Sequence, residues 1–184
     1  MERLHMCCLS RQNGSTLVMT MVILVILMLI GVAAMVTSDT QFKLAGNLQF
    51  ENTALNNSES ALAVAESWLS AGNNYSDGGF TTYNSTGKKH LYPIGYLAGL
   101  AAPNNDPLTM TWNDGNSLEV DSTQSYIIEQ LATNRRLLGS SQAVGGRSSA
   151  GCNQVNVYRI TTRGTSARGA TKFTQSIYSV LSCS

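Results

Sequence analysis

The chain has 184 residues, 43% of them hydrophobic and only 12% charged, with a formal net charge of +1. A near-neutral chain without a basic stripe lacks the electrostatic footprint of a nucleic-acid binder. With so few charges, its polar surface rests on Asn, Ser, Thr and Gly, which suits an extracytoplasmic protein or one built into an assembly.

Residues 1–14 form a short polar leader that contains Glu2, Arg3 and Arg11 and ends in Gly14. Residues 17–36, LVMTMVILVILMLIGVAAMV, follow without a single charge. About 20 apolar residues is the length a helix needs to cross roughly 30 Å of hydrocarbon. Arg3 and Arg11 precede the block and Asp39 is the first charge beyond it, so the positive-inside rule places the leader in the cytoplasm and the body outside. A secretory signal has a shorter apolar region closed by an A-x-A pattern. Here Val32-Ala33-Ala34 is only the nearest approach. A lipoprotein is excluded because Cys7 and Cys8 stand before the apolar block. About 148 residues remain for one domain with its own core.

The helical pattern continues beyond the block. No proline occurs from Thr40 to Leu69, and Leu48, Leu55, Leu62 and Leu69 recur every seven residues with Trp68 beside them. This predicts an amphipathic helix with a core-facing leucine seam, running from Ser15 to about Ala71 and stopped by Gly72. Gly31 and Gly46 are its weak points. Asp39 and Lys43, four apart, suit a surface pair.

Residues 72–184 read as short strands and turns. Leu108–Trp112 alternates and meets the turn signal Asn113-Asp114-Gly115. Further strands are predicted at Tyr126–Leu131, Val155–Thr162 and Thr171–Leu181, with a flexible loop at 139–151 and a turn at 163–169. The last two strands would form an antiparallel hairpin with Cys152 before one and Cys183 after the other. An exported pair of cysteines at the ends of a hairpin favours a disulfide. It would close a loop of about 30 residues and contribute roughly 3–4 kcal/mol. The expected fold is α+β: a long N-terminal helix on a small antiparallel sheet.

Catalytic chemistry finds little support. His5 lies in the leader, and His90 follows Lys88 and Lys89 with no partner identifiable from sequence. No Cys/His cluster has zinc spacing, and no glycine-rich loop carries a phosphate-binding lysine. Asp106 and Asn113-Asp114-Gly115-Asn116 have the flavour of a calcium loop, but the spaced acidic ligands and closing glutamate are missing. No enzyme activity, metal, cofactor, nucleic acid or small-molecule substrate is expected.

Together, the leader glycine, the apolar helix and the body outside the membrane resemble type IV pilins, and more closely the PilX family of minor pilins. The resemblance rests on Arg11-Gln12-Asn13-Gly14, Gly31-Val-Ala-Ala-Met35, Leu44-Ala-Gly-Asn47 and Ala63-Val-Ala-Glu66, four elements in order over the first 70 or so residues. Tyr158-Arg-Ile-Thr-Thr-Arg-Gly164 is also of a kind seen there, though less diagnostic. The resemblance implies cleavage by a prepilin peptidase between Gly14 and Ser15, and methylation of Ser15. Major pilins carry a glutamate as the fifth mature residue, whereas counting from Ser15 the fifth here is Met19. A buried carboxylate in lipid needs a positive partner, supplied in pilins by a neighbour's N-terminal amine. A subunit without it suits the fibre tip, where none lies above. The implied protein waits in the bacterial inner membrane with a periplasmic head. It then joins other minor pilins and the major pilin to initiate a type IV pilus, with a possible adhesive role. A minor pseudopilin of a type II secretion system shares this physics, and a signal-anchored periplasmic enzyme is the alternative from another class.

Overall fold

The computed structural model describes residues 15–136 and 154–182. The chain divides into two compact units, Met1–Asn47 and Leu48–Ser184. One helix, α1 (Ser15–Ser70), contributes to both, and neither Gly31 nor Gly46 interrupts it. Gly72, at φ +56°, ends it as the expected left-handed cap residue. The Trp68 carbonyl there accepts from the Ala71 amide at 3.2 Å and from the Asn74 side chain at 2.7 Å.

The second unit holds a five-stranded sheet: β1 (Leu91–Tyr92), β2 (Leu118–Asp121), β3 (Gln124–Arg136), β4 (Gln154–Thr165) and β5 (Thr171–Leu181). The order is β1-β3-β4-β5, with β2 also pairing β3. The architecture is α+β, as expected, but the sheet is mixed and not purely antiparallel. β1 runs parallel to β3, with Leu91 opposite Ile128. Parallel neighbours require a long crossover, and residues 93–117 supply it as turns and a short 3₁₀ stretch, Leu97–Gly99.

Leu108–Trp112 is no strand. Asp106 winds this stretch into turns: its carboxylate accepts from the Leu108 amide and its carbonyl from the Met110 amide, each at 2.9 Å. The alternation of Leu108, Met110 and Trp112 reflects this coil. The Asn113 turn does form, with the Asn113 side chain accepting from the Gly115 amide at 2.8 Å. It feeds β2, however, and the β2–β3 hairpin closes later, at Ser122 and Thr123. The β4–β5 hairpin is as expected, although β4 runs on to Thr165 and the reversal narrows to Ser166–Ala170.

Alternation along β3 feeds two cores. Tyr126 and Ile128 face α1 and join Ala65, Leu69, Phe80, Leu91, Tyr158 and Ile160. Ile127 faces the opposite side and joins Tyr92, Leu97 and Met110. Lys88, which pairs with Asp77, lies 5.2 Å over the Trp68 ring and ties the segment after α1 back to the helix.

Candidate assembly surfaces

The first unit is an apolar helical surface. Each residue from Ser15 to Leu44 is exposed, and the most apolar 18-residue window has a mean hydropathy of 3.0. Three of its threonines, Thr20, Thr37 and Thr40, turn their hydroxyls onto the backbone. Thr20 donates to the Leu17 carbonyl and Thr37 to the Ala33 carbonyl, each at 2.9 Å. Such back-bonding lets a hydroxyl sit in an apolar medium without an unmet donor. Asp39 and Lys43 pair at 2.7 Å just past the apolar block. Being exposed, that pair adds only a few tenths of a kcal/mol. Ser15 is the first residue of α1, and Met19 presents a 67% exposed thioether side chain. Gly14, Cys152 and Cys183 lie outside the described residues.

In the second unit the buried face of α1 is Ala54, Ser58, Ala61, Ala65 and Leu69. It differs from the expected leucine seam. Leu69 is fully buried and Leu62 and Trp68 border the core, but Leu48 is 50% and Leu55 38% exposed. The physical reason is close approach. Small side chains at spacings of four and three bring the helix backbone onto β4, and a leucine on that line would hold it off.

Gly164 is where the two backbones meet. A Cβ there would overlap the Ala54 carbonyl and the Ser58 amide nitrogen. Around it, hydroxyls and amides satisfy each other. Thr162 donates to the Ser58 carbonyl at 2.8 Å, the Ser58 and Thr174 hydroxyls meet at 2.7 Å, and Asn57 donates to the Thr165 carbonyl at 2.7 Å. Toward the N-terminal end of this contact, Lys172 pairs with Glu51 at 2.9 Å and Arg168 lies 4.9 Å over the Phe50 ring. Sequence reasoning missed Asn57, Ser58, Thr162 and Thr174. The available signal was the run of small residues 54, 58, 61 and 65, which carries helical periodicity as clearly as the leucines do.

The sheet face away from α1 carries exposed Ile177 and Leu181, and β5 is the outermost strand of the described sheet. On that face Arg159 pairs with the buried carboxylate of Glu129. His90 is 6% exposed, with the Trp68 and Tyr126 rings edge-on to it. Burial, reinforced by the nearby Lys88 charge, draws its pKa down to about 4. Asp77 is also held below its ordinary value: burial raises it, but Lys88, the Gly79 amide and Thr86 together outweigh that. Among the described residues no three His, Cys, Asp or Glu side chains gather as a metal site.

A long helix with an apolar N-terminal half and a C-terminal half buried on a small sheet is a pilin-like α+β arrangement. Residues 13–67 match the PilX N-terminal family. The matched region takes in the apolar block and most of α1, so the N-terminal part of the chain is type IV pilin-like. Comparison with curated proteins and with solved structures gives no match.

Proposed function

We propose that this chain is a minor pilin that helps to initiate type IV pilus assembly within a minor-pilin complex at the fibre tip. The observation that carries the reading is the exposed, charge-free helical surface of residues 17–36, with Met19 where a major pilin has its glutamate, inside a segment that matches the PilX N-terminal family. Such a surface has two suitable environments, lipid before assembly and a bundle of like helices after it. The prepilin peptidase cleaves after Gly14 and methylates Ser15. The helix then leaves the inner membrane to associate with other minor pilins and the major pilin, and the periplasmic head becomes surface-exposed with them.

The Cys152–Cys183 disulfide belongs to the same reading. It is supported by the hydrogen bond at 2.9 Å from the Ser182 amide to the Gln154 carbonyl, which brings the neighbours of both cysteines together. Mass spectrometry of the protein from cell envelopes tests the whole proposal. The expected species begins at methylated Ser15, carries one disulfide, and co-purifies with other minor pilins from cells that lose surface fibres when the gene is deleted. An intact leader together with normal fibres in the deletion strain would overturn it.

A further inference from the structure

Two clefts share one wall in the head. The larger, about 440 Å³, is lined by Thr81, Thr82, Tyr83, Pro93, Ile94, Gly95 and Tyr96. The smaller, about 180 Å³, also uses Tyr83 and Tyr96 and is lined further by Leu100, Asn104, Met110 and Asn116. The Tyr83 and Tyr96 rings stack 4.4 Å apart at 18°, and Tyr83 also stacks on Tyr92 at 5.2 Å.

Local sequence builds this wall. The Tyr96 amide bonds the Pro93 carbonyl at 3.1 Å, with Gly95 at φ +70° in the third position of the turn. Only a residue free to adopt positive φ closes such a type II turn without strain. The reversal returns Tyr96 to the side of Tyr92. The Tyr92 hydroxyl donates to the Asn116 carbonyl at 2.7 Å and the Tyr83 hydroxyl to the Gly115 carbonyl at 3.3 Å, which pins two rings. Ile94 stands at the rim, 53% exposed.

The chemistry of the lining selects a class of ligand. Neither cleft is lined by an ionisable acid or base other than tyrosine, so neither offers charge to an anion or a cation. Both combine aromatic surface with neutral hydroxyl or amide groups. The negative face of an aromatic ring attracts the C–H edges of a pyranose, and hydroxyls and amides pair with its hydroxyls. The larger cleft falls within the range of small-ligand sites, roughly 300–1,000 Å³. We propose that the Tyr83–Tyr96 wall is a binding site for a neutral saccharide. The inference goes beyond the pilin reading and does not depend on it, because the site lies wholly within the head.

The test uses the full chain in a zwitterionic, sugar-free detergent. Cellotriose, maltotriose and N,N′,N″-triacetylchitotriose are titrated by calorimetry and saturation-transfer NMR, with a polyproline peptide as comparator. At least one trisaccharide is expected to bind, and Tyr96→Ala to weaken it by at least about tenfold while Tyr96→Phe, which keeps the ring, changes it little. Thr82→Arg, at an exposed position, places a charged chain in the cleft and should block binding with an unchanged melting temperature. Failure of all three sugars to bind would overturn the proposal. So would sugar binding insensitive to Tyr96→Ala and Thr82→Arg, or tighter binding of the polyproline peptide at the same wall.

Discussion

Gly164 of β4 lies against the backbone of Ala54 in α1, with no room between them for even one more carbon atom. Gly164→Ala must therefore push the helix and sheet apart and strain the hydrogen bonds at Ser58 and Asn57. The expected loss is about 1–3 kcal/mol, as for overpacking in a core, and toward the upper end because backbone cannot move aside as a side chain can. Gly46→Ala is the contrast. It sits in the same helix with open space around it, so in the isolated subunit it should be neutral or stabilise by up to about 1 kcal/mol. Thermal melts of the two variants check the pair. Equal effects would show that Gly164 does not set the spacing.

The small-residue face of α1 makes an opposed pair of predictions for leucines. Leu69→Ala removes a fully buried side chain and should cost about 2–5 kcal/mol. Leu48→Ala, at a half-exposed position, should cost no more than about 0.5 kcal/mol. Denaturant unfolding of the two variants distinguishes this face from a leucine seam, which would make both costly.

Acid should loosen the head through His90. Its folded pKa, about 4, lies below the ordinary 6.5, so the fold prefers the neutral ring. That contribution is fully present above about pH 6.5 and is lost progressively as pH falls toward 4, reaching about 3 kcal/mol. Lys88 and Asp77 are the charges facing it, and Lys88, the Gly79 amide and Thr86 hold the Asp77 carboxyl below its ordinary value despite its burial. Unfolding free energies at pH 7 and pH 4.5 should differ by less in His90→Phe than in the native chain. An undiminished difference would remove His90 as the cause.

Under the proposed function, Met19 bears on position in the fibre. Met19→Glu adds a carboxylate at an exposed site near one end of the apolar block, where its cost falls below the roughly 2.5–3.5 kcal/mol of the bilayer centre, but offers a partner to a neighbour's amine. Under the proposed function, immunogold labelling should spread from fibre ends to their length. Labelling confined to the ends would dissociate tip location from the missing charge.

The long helix, its end at Gly72 and the β4–β5 hairpin were legible because each is a local pattern: an apolar run without breakers, a left-handed cap residue, and alternation on either side of a turn. β1 was not, since two residues, Leu91 and Tyr92, make no pattern, and their pairing depends on a partner strand more than thirty positions away. Leu108–Trp112 misled because its residue alternation is that of a strand, while Asp106 takes up the Leu108 and Met110 amides and winds the stretch into turns. The tyrosine wall was invisible for the same reason as β1. Tyr83, Tyr92 and Tyr96 share no regular period, and the turns before and after β1 gather them.

The fit of Gly164 beneath Ala54 and Ser58 also has a mechanical reading. Sliding the helix one turn along its axis would bring Phe50 or Ser58 into the place of Ala54, and Ala54 or Leu62 into that of Ser58. Each of the larger replacements collides with the strand, and the smaller ones break the hydroxyl pairs. The junction therefore acts as a detent. Under axial tension the head should hold its station on the helix until the contact fails as a whole, instead of creeping along it by degrees.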